Sequence, residues 1–249
     1  MSPVVLGFLA SFAAGSATTL GAGPAIVLRR VSPKLQDIFM GFGAGVMIAA
    51  SVFSLIIPSL EHAGGGLNAI FIASGGIITG GVFLFLANRF FPHEHFIKGP
   101  EGSSLPRLKK IWLFVLAITI HNLPEGLSVG VGFGGEDLKT ATALAIGIGL
   151  QNIPEGMVVA LALKSEGYSR WFAVVVTALT GLVEPVGGIL GASAVTIFSQ
   201  VLPFGLAFAA GAMLFVVSNE IIPESHRKGF EMEATFGVLF GFVVMMALD

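Results

Sequence analysis

The chain has 249 residues, of which 54% are hydrophobic and only 11% charged, with a mean hydropathy of +0.89. A water-soluble domain carries about 25% charged residues, so a soluble globular class is excluded and a membrane class follows. The net charge of −2 offers no basis for binding nucleic acid, and the absence of cysteine excludes disulfides, thiolate metal sites and thiol redox chemistry.

A membrane-crossing helix needs about 20 mostly apolar residues. Eight stretches qualify in chain order: Val4–Leu28, Ile38–Leu60, Leu67–Phe91, Ile111–Phe133, Thr140–Leu163, Trp171–Ile197, Val201–Ile222 and Ala234–Leu248. The first has no positive charge ahead of it and too long an apolar run for a cleaved leader, so a retained helix is expected. The 34 glycines suit helices that approach closely through small residues. One membrane domain covering 1–249 is expected, with no separate soluble part. The longest connection, 92–110, carries Pro92-His93-Glu94-His95 and then a Gly, Ser and Pro mixture, and reads as a mobile loop.

Twelve of the thirteen Lys and Arg fall in alternate connections, those after spans 1, 3, 5 and 7; only Lys139 falls on the other side. Cytoplasmic loops collect positive charge. A multi-pass protein of the cell (inner) membrane is therefore expected, with both termini outside and the 92–110 loop in the cytoplasm.

The chemistry sits at mid-depth. Span 4 contains His121-Asn122-Leu123-Pro124-Glu125-Gly126, and span 5 contains Gln151-Asn152-Ile153-Pro154-Glu155-Gly156. His121 and Glu125 are four apart and share a helix face, as do Gln151 and Glu155. Each proline removes a backbone N–H and frees a carbonyl, tolerable here only facing protein or a water-filled cavity. Span 6 adds Glu184 beside Pro185. Three carboxylates at this depth need a counter-charge, and no Lys or Arg stands there. Protons or a bound cation must balance them, and an imidazole among carboxylates suits zinc and its first-row neighbours.

Other positions keep two readings each. Asn122 and Asn152 taken singly are either ligands or interhelical hydrogen-bonding groups, and Met47 on span 2 is either packing or a ligand. Ser51 and Ser54 either line a path or bond to their own backbone. Glu220 on span 7 reads as a functional group within the membrane, with Glu224 and His226 nearer the interface. His93 and His95 are either solvated loop side chains or a weak metal relay.

The repeated Asn-x-Pro-Glu-Gly motif on spans 4 and 5 resembles that of the ZIP (Zrt/Irt-like protein) family of divalent-metal transporters, and the likeness runs over nearly the whole chain. It is especially similar to prokaryotic members through Met47, Pro-His-Glu-His, Glu184 and Ile222-Pro223-Glu224-Ser225-His226. The resemblance implies an all-α fold of eight helices, with helices 1–3 and 6–8 as an inverted repeat around a central helix 4/5 pair. It also implies a binuclear centre. One site would use His121, Glu125, Gln151 and Glu155 with Met47 nearby; the other would use Asn122, Glu125, Asn152, Glu155 and Glu184. Ser54 and Asp249 match entrance positions, and Asn88, His93, His95 and Glu220 match the route to the cytoplasm. Helices 1, 4, 5 and 6 would move against 2, 3, 7 and 8. The chain departs from relatives that carry His at Gln151, Asp at Asn152 and His at Asn219, so the first site is richer in oxygen and the second lacks a charge.

The expectation is an importer of divalent metal, Zn2+ foremost and also Fe2+, Mn2+ or Cd2+, with no catalytic cofactor. Its partners would be the ions and the bilayer, and a homodimer is left open. The rival is an intramembrane zinc-dependent hydrolase with Glu125 or Glu155 as base. A catalytic zinc typically has three protein ligands and an open position, whereas these spans hold one mid-depth His and no His-Glu-x-x-His. A proton-linked carrier of an organic solute is the third reading. The lack of Lys or Arg near the carboxylates argues against an anionic solute.

Overall fold

The structure, a computed structural model, describes residues 1–27, 32–90, 93–95, 99–101, 110–135, 137–227 and 229–249. It is all-α in architecture. Among the described residues eight helices are long and apolar enough to cross a membrane: α1 (Pro3–Ile26), α2 (Pro33–His62), α3 (Gly66–Phe90), α4 (Phe114–Gly134), α5 (Leu138–Ser165), α6 (Arg170–Ile197), α7 (Ser199–Ser225) and α8 (Glu231–Leu248). Large apolar side chains such as Phe71, Leu179 and Phe240 point outward, as they must on a surface that meets hydrocarbon.

The starts of α1, α2, α5 and α6 follow local capping chemistry, at Ser2, Ser32, Asp137 and Ser169. Ser32 accepts a hydrogen bond from the Leu35 amide, and Pro33 occupies the first helical turn. Helix α2 therefore begins five residues before the apolar run at Ile38, and takes in Lys34, Gln36 and Asp37. Asp137 caps α5 by accepting from the Lys139 and Thr140 amides and from the Thr140 hydroxyl, and those Thr140 bonds hold its carboxyl below the usual range. Between α3 and α4, residues 93–95 pair antiparallel with 99–101, His93 opposite Glu101 and His95 opposite Gly99.

Two groups of helices are held together by close backbone approach. Helix α2 lies along α8, where a Cβ added at Gly45 would fall 2.0 Å from the Val238 carbonyl oxygen, and α3 lies along α7. In the other group α1 packs against α4, α5 and α6, and α4 against α6. Both α2 and α7 widen to a π-helix, at Ser51–Ile56 and Val217–Ile221, just before an Ile-Pro step at Ile57-Pro58 and Ile222-Pro223. These helices are the second members of the two expected repeats and run in opposite directions, so the shared distortion fits the inverted-repeat reading.

Candidate metal centre

Helix α4 carries His121, Asn122 and Glu125, helix α5 carries Gln151, Asn152 and Glu155, and helix α6 carries Glu184, all near mid-span. The helices stay continuous through Pro124 and Pro154. Helix α6 instead breaks at Leu182–Val183 and restarts at Glu184-Pro185. That break sets Glu184 in the first turn of a new helical segment, where the helix dipole favours an acid. Gly126 brings α4 against this turn: a Cβ there would lie 2.0 Å from the Glu184 carbonyl oxygen. Gly15 and Gly181 do the same for α1 and α6, which carries the Ala14 carbonyl to the cluster.

Six of these seven side chains are buried and Glu155 is partly buried. The Gln151 amide donates to Asn152 Oδ1 at 2.7 Å. The Asn152 amide donates to Glu184 Oε1 at 2.7 Å and to the Ala14 carbonyl at 2.9 Å, and Asn122 donates to the Thr180 carbonyl at 3.0 Å. Glu125 has the Glu155 and Glu184 carboxyls and the Gln151 amide as neighbours. Four buried oxygens, Asn122 Oδ1, Glu125 Oε2, Glu155 Oε1 and Glu184 Oε2, accept no hydrogen bond from the protein. Such acceptors are costly in a dry interior unless something electropositive meets them. Among the described residues no three His, Asp or Glu side chains converge closely enough to grip one ion as they stand. The His121 ring instead pairs with Glu220, whose other oxygen accepts from the Asn88 amide at 2.7 Å.

Expected site residues thus fall into connected groups. His121, Glu220 and Asn88 form a polar thread from α4 through α7 to α3. Gly43 faces the Gln151 side chain at 3.6 Å, so Met47, one turn further and fully buried, lies on the same side of α2. Ser51 donates to the Met47 carbonyl, so it bonds to its own backbone, whereas Ser54 reaches Asp249 Oδ1 at 3.0 Å. His93 and His95 lie in the short ladder, away from the mid-span cluster in sequence, and Pro92 is outside the described residues. Glu224, expected at the interface, is buried, while His226 is partly buried and bonds Ile222 and Thr235.

Some contributors are not evident from the motif. The Ala14 and Thr180 carbonyls anchor the two asparagines, and no backbone acceptor announces itself in a sequence. Asp37 is fully buried in α2, and Lys139 donates to the Asp249 carbonyl at 2.8 Å. An acid among the first turns of a helix that follows a Ser-Pro cap is the signal that would have found Asp37.

The family model described as ZIP Zinc transporter matches residues 94–249. The chain belongs to the ZIP zinc transporter family. It is 47% identical to "Zinc transporter GufA" of Myxococcus xanthus, over 98% of this chain and 97% of that protein. It is 45% identical to "Zinc transporter ZIPB" of Bordetella bronchiseptica over 98% and 80%, and 35% identical to "Zinc transporter ZIP11" of Homo sapiens over 100% and 97%. Membership in this family makes metal transport across a membrane the activity to be derived from the cluster.

Proposed function

We propose that this protein imports divalent metal ions, Zn2+ foremost and also Fe2+, Mn2+ or Cd2+, through a two-ion centre between α4, α5 and α6. The observation that carries the reading is the set of four buried oxygens on three adjoining helices that accept no protein hydrogen bond. A cation is the natural complement to such a set, and the ion is the cargo. In the first site His121, Glu125, Gln151 and Glu155 bind it, with Met47 beside them. In the second, Asn122, Asn152 and Glu184 join the two shared carboxylates. Mixed imidazole and oxygen ligation fits first-row divalent metals.

The ion enters past Ser54 and Asp249 and leaves along Glu220, Asn88 and the 92–110 loop with His93 and His95. His121 pairs either with the ion or with Glu220, so loss of metal from the ring is matched by a partner on the exit side. Both termini face outward, because the basic residues gather at the opposite face. The helices α1, α4, α5 and α6 move as one body against α2, α3, α7 and α8; ligand exchange alone suffices, with no covalent step.

Elemental analysis of purified protein tests the stoichiometry: two equivalents of metal are expected, falling to at most one in Glu184→Ala. Two equivalents retained in a doubly substituted Glu125→Ala, Glu155→Ala protein would place the ions elsewhere.

A further inference from the structure

A groove of about 590 Å³ opens between α2, α5 and α8, walled by Phe39 and Phe42, by Ile153 and Pro154, and by Phe236 and Phe240. It exists because α8 is drawn onto α2. A Cβ at Gly41 would lie 2.2 Å from the Ala234 carbonyl oxygen, and one at Gly237 would lie 2.5 Å from that of Ile38. Helix α5 has no comparable backbone approach to α8 and meets it through the Met245 side chain at Gly147. The walls are apolar except at one end, where Glu233 forms an ion pair with Lys34 at 2.8 Å. Both members of that pair are partly exposed, 35% and 52% by side chain. They stand where α2 and α8 begin, at the boundary between apolar helix and connection.

We propose that this groove is a phospholipid site. One acyl chain lies along the aromatic wall, and a zwitterionic headgroup sits over the Lys34–Glu233 pair, phosphate toward Lys34 and ammonium toward Glu233. Three observations select this occupant. The groove faces the hydrocarbon side of a membrane protein, where acyl chains are the solvent. A methylene takes about the volume of a water, ~30 Å³, so the space holds on the order of twenty methylenes, the length of one long chain. Among the described residues the mouth offers one charge of each sign, Lys34 and Glu233, which complements an ethanolamine headgroup better than an anionic one. The site matters because it lies on the seam between the two helix groups. Its α5 wall ends at Pro154, next to Glu155, so a chain held there forms part of the surface along which the groups meet.

The test uses full-length protein in proteoliposomes containing phosphatidylethanolamine with a mid-chain diazirine, irradiated and mapped by peptide mass spectrometry. Adducts are expected on 38–42, 150–154 and 236–240 at no less than five times the level on the outward-facing Phe71 and Phe83 of α3. Leu150→Trp, which fills the groove, should lower groove adducts at least fivefold while leaving those on α3 unchanged; the α3 adducts and a retained thermal transition report that the variant is folded. Unlabelled phosphatidylethanolamine should compete at least threefold better than phosphatidylglycerol, and Glu233→Gln should remove that preference. Even labelling over all outward-facing helices, or equal groove labelling in Leu150→Trp, would overturn the proposal. So would protein–protein cross-links from the groove in place of lipid adducts, which would assign it to a second copy of the chain.

Discussion

The contacts inside each helix group differ in kind from the contacts between the groups. Within α1, α4, α5 and α6, glycines bring backbone onto backbone: Cβ atoms at Gly156, Gly21 and Gly126 would fall 1.9 to 2.0 Å from the carbonyls of Thr18, Ile153 and Glu184. Within α2, α3, α7 and α8, Gly80, Gly211 and Gly241 do the same against Phe208, Ile77 and Phe42, at 2.0 to 2.1 Å. Across the seam glycines meet side chains. Gly43 faces Gln151 at 3.6 Å, Gly205 faces Val131 at 3.5 Å, and Gly147 faces the sulfur of Met245. Backbone seated on backbone has one register, set by the close approach of small residues. Side chains, above all a methionine with three rotatable bonds, can repack as the surfaces slide. The proposed metal cluster lies on helices of the first group, so the ion would travel with that group.

The most damaging change on that face is removal of a shared carboxylate. Glu125 and Glu155 each reach both proposed ions, so Glu125→Ala and Glu155→Ala should lower zinc uptake into proteoliposomes at least 100-fold, about 2.7 kcal/mol or more. Asn152→Ala removes one neutral oxygen and should cost less. A folded Glu125→Ala protein that transports at the wild-type rate would detach the cluster from transport.

Freezing the seam comes next. The chain lacks cysteine, so introduced pairs are unambiguous. Val131→Cys with Gly205→Cys bridges α4 to α7 across the seam, and oxidation should cut uptake at least tenfold, reversibly on reduction. Ala17→Cys with Gly149→Cys joins α1 to α5 inside one group, at a Cβ separation of 3.9 Å that suits a disulfide. That bridge should leave uptake within about twofold. Full activity in the oxidised seam pair would mean that the groups do not slide there.

Much of this organisation is readable in the sequence because hydrocarbon imposes a single length scale. The eight spans follow from apolar run length, and the cluster from polar residues at equal depth, since both costs are large and local. The ends of the helices are less legible. Ser32-Pro33 starts α2 ahead of its apolar run because a side-chain cap sets its first turn, and α8 starts at Glu231, ahead of Ala234, with no side-chain cap. The π-helical turns before Pro58 and Pro223 are invisible to a periodicity of 3.6. The partners of Asn122 and Asn152 are the least legible, since they are carbonyls of Thr180 and Ala14, brought in by glycine contacts on other helices. Spacing along one helix carries no information about that.

Glycine substitutions should separate the two kinds of contact by stability. Gly80→Ala places a methyl group onto the Phe208 carbonyl, within a group and remote from the cluster. Overpacking of this kind costs about 1–3 kcal/mol, and at roughly 2–4 °C per kcal/mol for a chain of this size the transition should fall by about 2–12 °C. Gly205→Ala meets Val131 at ordinary contact distance and should shift it by less than about 2 °C. Equal shifts would erase the distinction between seam and interior.

The effect that reads the cluster most closely comes from Asn152→Asp. The Asn152 amide nitrogen serves both Glu184 and the Ala14 carbonyl, and its oxygen accepts from Gln151. Aspartate keeps the acceptor but loses both donated bonds, and it sets a second carboxylate against Glu184. In chelator the variant should therefore melt below wild type by about 2–12 °C for each buried acceptor left unsatisfied, at on the order of 1–3 kcal/mol per acceptor. Saturating zinc reverses the logic, since two facing carboxylates bind a cation better than a carboxylate and an amide. Ligand that binds only the folded state adds RT ln(1 + [L]/Kd), so the zinc-induced rise should exceed the wild-type rise by about 3 °C or more. It should shrink as pH falls and protons compete for the same oxygens. Asn152→Ala separates the two causes, because it loses the same donated bonds without adding charge: it should fall in chelator and show no extra gain with zinc. Identical zinc-induced rises in the Asp and Ala variants would remove Asn152 from the second site and leave it as a brace between α5, α6 and α1.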